Sequence, residues 1–123
     1  MNPDKFLVSC IIPTKNRPKQ LMQALQSVFN QTHKKIEVIV IDDSTNSETE
    51  NVLANIKSEI IYIRNKESKG APYSRNIGLA IAKGDVIAFL DDDDIWLPEK
   101  IVAQLSLLKQ FPIVSCNNIL LEG

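Results

Sequence analysis

The stretch Asp85 to Trp96, DVIAFLDDDDIW, places four consecutive aspartates directly after an apolar run. The first half, Asp85 to Leu90, has the near-continuous hydrophobicity of a strand buried on both faces, which is the signature of a parallel sheet covered by helices. The second half is electrostatically costly, because adjacent carboxylates at neutral pH repel one another and prefer water or a cation. A buried strand that opens into an acidic loop therefore predicts both a layered α/β fold and a cation at the strand's end.

The pattern repeats upstream. Phe6 to Ile12 is an apolar, β-branched run closed by Pro13, and Leu21, Leu25, Val28 and Phe29 follow at helical spacing. Ile36 to Ile41 (IEVIVI) is a second strand, after which Ser47 and Glu50 form a capping box ahead of Val52, Leu53 and Ile56. Ile60 to Ile63 is a third strand, and Tyr73, Ile77, Ala80 and Ile81 share one helical face within Tyr73 to Lys83, ended by Gly84. Downstream, Pro98 suits a first helical position, Ile101, Val102, Leu105 and Leu108 supply an apolar stripe, and Ile113 to Cys116 starts a fifth strand. Alternating strands and amphipathic helices imply an α/β sandwich with a mainly parallel sheet, in which ligands bind beyond the carboxyl ends of the strands, near the topological switch point.

The 123 residues are about one domain's worth of chain, and neither a linker nor a repeat divides them. A formal net charge of -1 gives no general basis for binding nucleic acid or an anionic membrane. Cys10 and Cys116 sit in apolar runs without zinc-ligand spacing and read as small buried hydrophobes in a reducing compartment. The opening MNPDKFLVSCIIP fits neither a signal peptide nor a membrane span, so a cytoplasmic location is expected.

The strand ends carry the chemistry. On an extended backbone, Asp91 and Asp93 point to one side and Asp92 to the other, so the first and third can form a partial shell for Mg²⁺ or Mn²⁺, completed by water and substrate phosphates. The alternative is a solvated acidic cap on the helix after Pro98, which accounts for one aspartate and not four. Asp42 and Asp43 close the second strand, either as turn formers or as acceptors for a nucleobase or ribose. Arg75, in GAPYSRNIG at a helix start, could reach a phosphate or the acidic cluster, while Gly70 lets the chain turn tightly. Lys15, Arg17 and Lys69 read as solvated charges, His33 as an exposed loop residue, and Trp96 as a packing anchor more than a sugar platform.

Together, VSCIIPTKNR, FNQTHKKIEVIVIDDS and KGAPYSRNIGLAIAKGDVIAFLDDDDIWLPEKI resemble the nucleotide-binding half of the family 2 glycosyltransferases, from about Val8 to Phe111. The resemblance implies a GT-A, Rossmann-like three-layer sandwich over 1–123 and inverting transfer from a nucleotide diphosphate sugar, usually a uridine one, to an acceptor hydroxyl. It implies that Pro13, Thr14, Asp42, Arg75, Asp91 and Asp92 contact the nucleotide sugar and that Asp93 with Asp91 holds Mn²⁺ or Mg²⁺. It also implies a glycan or lipid-linked acceptor and, for the complete enzyme, work at the inner face of a membrane. The family's general base lies well downstream of the acidic pair, and Glu122 is a poor substitute, so the chain is expected to be truncated, without its acceptor-binding half and weak or inactive in transfer.

Two other classes share parts of the pattern. A hydrophobic strand followed by DxDx-Ile is the nucleophile motif of haloacid-dehalogenase-like phosphatases, but too little chain follows Asp94 to supply their later residues. Receiver domains share the length and Mg²⁺ site, but want the acidic pair after the first strand, where PTKN stands.

Overall fold

A computed structural model describes residues 3–108 and 119–121. After a short 3-10 helix at Pro3–Lys5, the chain forms β1 (Val8–Thr14), α1 (Pro18–Phe29), β2 (Ile36–Asp42), α2 (Glu48–Leu53), β3 (Ile61–Arg64), α3 (Ala71–Ile81), β4 (Val86–Phe89), α4 (Lys100–Leu107) and β5 (Ile119–Leu121). The sheet order is β3-β2-β1-β4-β5. The first four strands run parallel and β5 is antiparallel to β4. The expected strand start at Ile113 to Cys116, and Cys116 itself, lie outside the described residues.

Side-chain alternation along the central strand separates the layers. Val8, Cys10 and Ile12 turn to one face, where they pack with Leu21, Ala24, Leu25 and Val28 of α1 and Ile101 and Leu105 of α4. Ile11 turns to the other with Ile39, Ile41 and Ile87, against Ile77 and Ile81 of α3. Helices thus cover both faces, giving the three-layer sandwich expected. Tyr73 and Val102, counted on apolar stripes in the sequence, are exposed.

Pro13 does not end β1, which continues through Thr14 in register with Asp42. Val8 N–H bonds to Lys35 O on the β2 side, so alternation aims the missing Pro13 donor toward β4. Pairing there has already stopped at Ile11 and Phe89, and no ladder hydrogen bond is lost. On the α3 side, a Cβ at Gly78 would stand 2.5 Å from Ile11 Cγ2, so glycine sets how closely α3 approaches the sheet.

Two local expectations give way to tertiary contacts. Ser47 precedes α2 without a side-chain capping bond, and the Glu50 carboxylate pairs with Arg64 at 3.2 Å instead of reaching back. His33 is buried, its Nε2 placed 2.9 Å from the Phe6 carbonyl oxygen, so the segment before β2 packs onto the N-terminal segment. Cys10 is fully buried, and burial pushes its thiol pKa far up, as expected of an inert apolar filler. Trp96 is buried as an anchor.

Candidate nucleotide-sugar site

The order of the strands reverses at β1, which has β2 on one side and β4 on the other, and the loops leaving their carboxyl ends part there. A cavity of about 370 Å³ opens at this point, lined by residues from PTKNR at the end of β1 and just beyond it, Asp43 after β2, the start of α3 and the acidic turn after β4.

The acidic stretch is a turn rather than a continued strand. Asp94 N–H donates to Asp91 O at 3.0 Å, and this closure brings carboxylate oxygens of Asp91, Asp93 and Asp94 within 4.8 Å of one another, all on exposed residues. Asp92 points inward. Its Oδ2 accepts from Thr14 Oγ1 at 2.9 Å and its Oδ1 from Arg17 Nη1 at 3.2 Å, so a buried carboxylate is fully provided with donors. Asp91 and Asp93 therefore converge as expected, but through the turn, which adds Asp94 to the outward group.

Two arginines flank this turn. Arg75, near the start of α3, lies 3.5 Å from Asp91, and Arg17 bridges Asp92 to Asp93 at 3.2 and 3.3 Å. Arg17 is not the free surface charge expected of it; only the fold brings it to residues some seventy-five positions away.

The paired aspartates at the end of β2 divide their tasks. Asp42 is fully buried, accepting from Tyr62 Oη at 2.6 Å and from Ser44 N–H at 2.9 Å, and it does not line the cavity. The expected contact of Asp42 with a base thus has no exposed oxygen to make it. Burial and then the neighbouring Asp42 push the Tyr62 phenol well above its usual pKa, keeping it the donor in this bond. Asp43 does line the cavity and gathers the chain ahead of α3, accepting from Asn65 Nδ2, Ser68 Oγ and the Lys69 and Gly70 N–H groups. Burial opposes its ionisation, but these four donors outweigh it and hold the carboxyl down to about 2. Gly70, at φ 92, turns the chain into α3 in a conformation that suits glycine.

Pro13, Thr14, Arg75, Asp91, Asp92 and Asp93 all meet at this one cavity, together with Lys15, Arg17, Gly70 and Ser74. The sequence reading missed Asn16 and Ser44. Asn16, at φ 54, donates its N–H to Ser44 Oγ at 2.8 Å and accepts from Thr45 N–H, tying the loop after β1 to the loop after β2. An asparagine in PTKNR was the available signal, since asparagine tolerates the left-handed region.

Comparison with known proteins agrees with this geometry. Residues 9–120 match the model of the family described as glycosyl transferase family 2. The chain is 43% identical over 104 residues to the Escherichia coli UDP-Glc:alpha-D-GlcNAc-diphosphoundecaprenol beta-1,3-glucosyltransferase WfaP, covering 84% of this chain and 41% of that protein. It is 39% identical over 106 residues to a second such Escherichia coli enzyme, WfgD, covering 85% of this chain and 42% of that one. The chain thus spans about two fifths of the length of these relatives. Among solved structures, residues 1–349 of S. aureus TarS in complex with UDP superpose with a TM-score of 0.73 at 29% identity, covering 84% of this chain and 32% of that one. The Pyrobaculum calidifontis mannosyltransferase PcManGT, in complex with GDP-Man and Mn2+, shares the fold at a TM-score of 0.77 and 21% identity, over 88% of this chain and 34% of that one. With the strand order, the switch-point cavity and the acidic turn in place, the match over 9–120 settles the matter in favour of neither a receiver nor a phosphatase: the chain belongs to glycosyl transferase family 2.

Proposed function

We propose that this chain is the donor-binding part of an inverting glycosyltransferase that takes a uridine diphosphate sugar with a divalent cation and passes the sugar to an acceptor hydroxyl. The observation that carries the reading is the cavity at the switch point, where Thr14, Asp43, Arg75 and the outward carboxylates of Asp91 and Asp93 converge, with Asp94 beside them in the same acidic group. The uridine preference is supported by the UDP-Glc donor in the names of two relatives and by the UDP complex of TarS.

The donor set suits a hard cation. Asp91, Asp93 and Asp94 offer carboxylate oxygens within one ion's reach, exposed on a side open to solvent and phosphate, as Mg²⁺ or Mn²⁺ requires. When bound, such an ion neutralises charge that builds on the departing diphosphate. Arg75 adds a cationic donor on the same side of the cavity, close enough to exchange its Asp91 partner for a phosphate oxygen. Asp43 holds the chain at Gly70 in shape at the cavity's edge, and Asp42 braces it from within through Tyr62 and Ser44.

Among the described residues, the acidic groups that line the cavity are Asp43 and the aspartates of the turn, and none of them is proposed as the base that deprotonates the acceptor. The acceptor is proposed to be a glycan or a lipid-linked sugar, following the diphosphoundecaprenol acceptors in the relatives' names. The complete enzyme would then work at the inner face of a membrane; no described helix is long and apolar enough to cross one.

Calorimetric titration with UDP, GDP and CDP, each with Mn²⁺ and with EDTA, tests this. Binding of UDP in preference to the others, lost with EDTA, is expected. Equal binding with EDTA, or a preference for GDP or CDP, overturns the metal or the uridine assignment respectively.

A further inference from the structure

The acidic turn is already part-neutralised by the chain itself. Arg17 Nη1 sits between Asp92 Oδ1 and Asp93 Oδ2 at 3.2 and 3.3 Å, so a single guanidinium nitrogen bridges two carboxylates. Its two partners differ. Asp92 is buried and committed to Thr14, whereas Asp93 is exposed and belongs to the outward group that suits a cation. Arg17 itself is half-exposed and lines the same cavity, so its guanidinium has room to leave Asp93 while its backbone stays at the start of α1.

We infer that Arg17 is a resident counter-ion that competes with the divalent cation for Asp93 and thereby makes the cation and the nucleoside diphosphate bind together. The inference rests on the proposed metal-dependent donor site. A cation arriving alone must take Asp93 from Arg17, bringing a divalent charge close to a guanidinium that has lost one partner. A cation arriving with a diphosphate supplies that guanidinium with new anionic oxygens in the same cavity, so the exchange is no longer opposed. Linkage requires the effect to be mutual: the diphosphate strengthens cation binding by the same factor as the cation strengthens diphosphate binding. Arg75 makes the corresponding contact to Asp91 at 3.5 Å, a second carboxylate of the outward group, while Arg17 holds Asp93 at 3.3 Å.

The test is a binding cycle on the full chain. Free Mn²⁺ is followed by electron paramagnetic resonance, with and without UDP, for the wild type, Arg17→Gln and Arg17→Lys, with circular dichroism to check that each variant is folded. Removing one exposed bridging charge should make Arg17→Gln bind Mn²⁺ alone about three- to tenfold more tightly, and shrink the enhancement of Mn²⁺ binding by UDP by a similar factor. Arg17→Lys keeps the charge on a shorter side chain with a compact, more strongly hydrated head group and should fall between the two, which also serves if the glutamine variant does not fold. Unchanged or weaker Mn²⁺ binding by Arg17→Gln, with the UDP enhancement intact, overturns the inference and makes Arg17 a strut that pre-shapes the turn. Failure of the wild type and the variants alike to bind Mn²⁺ even with UDP overturns the metal site itself, and the inference with it.

Discussion

Thr14 Oγ1 donates to Asp92 Oδ2 at 2.9 Å, joining the end of the central strand to the acidic turn across seventy-eight residues of sequence. Both residues are buried. Because this bond turns Asp92 inward, its neighbours on either side are left facing the cavity. The four aspartates therefore do two jobs, one structural and the other electrostatic.

That division separates the effects of two adjacent substitutions. Asp92→Ala leaves the buried Thr14 hydroxyl without its acceptor and Arg17 without one partner, and should cost about 1–3 kcal/mol of stability in urea denaturation. Asp93→Ala removes an exposed carboxylate and should change stability by no more than about 0.5 kcal/mol. Yet Asp93→Ala should abolish the Mn²⁺ dependence of UDP binding. Unchanged metal dependence in that variant would remove Asp93 from the ligand set.

Tyr62 and Asp42 are the second buried polar pair, at 2.6 Å. Tyr62→Phe keeps the ring and deletes the donor, leaving a fully buried carboxylate with Ser44 N–H as its remaining hydrogen-bond donor. A loss of about 1.5–3 kcal/mol is expected from denaturant melts, the range for a hydrogen bond to a charged group. A loss well below this would mean that the carboxylate finds another donor in the variant.

The Asp43 carboxyl sits at about 2 in the folded protein against an ordinary 3.8. A depressed carboxyl favours the folded state only while the unfolded chain would also be ionised, so its contribution is complete above about pH 4–5 and fades as the pH falls toward 2. Asp43→Asn removes that dependence and places an amide where four donors converge. The stability gap between wild type and variant, measured by urea melts across this window, should narrow steadily with acidification. A gap independent of pH would contradict the assigned hydrogen bonds.

Gly78 permits the contact between α3 and the sheet. Gly78→Ala puts a methyl group 2.5 Å from Ile11 Cγ2 in a buried layer and should cost about 1–3 kcal/mol through overpacking. Ile11→Ala in the same chain opens the space the new methyl needs, so the double variant should be more stable than the sum of the single losses predicts. Strict additivity would place the strain elsewhere.

Much of the architecture can be read directly from hydrophobic period. The runs at Phe6 to Ile12, Ile36 to Ile41 and Asp85 to Leu90 are apolar without alternation because both sheet faces are covered, and the helices between them show one apolar stripe each. Boundaries were less legible. Pro13 lies within β1 because the neighbouring strand has already ended, and the Ser47–Glu50 capping box yields to Arg64, a residue on another element.

The chemistry of the site was equally local in kind but not in placement. Four aspartates after a buried strand call for a cation whatever the fold, and Gly70 and Arg75 mark a loop and helix start suited to an anion. Which aspartate faces the cavity, however, depends on partners far away in sequence. Thr14 draws Asp92 inward, Tyr62 draws Asp42 inward, and the Asn65 to Gly70 segment gathers on Asp43. The same holds for Arg17, which has no acidic neighbour in PTKNR, and for His33, whose burial depends on Phe6. The sequence alone determined the layers and the charge at the strand ends, because period and composition are local properties. Only the tertiary structure decided which of those charges are buried, paired or presented to a ligand, because side-chain direction at a strand end is set by whichever distant donor completes its hydrogen bonds.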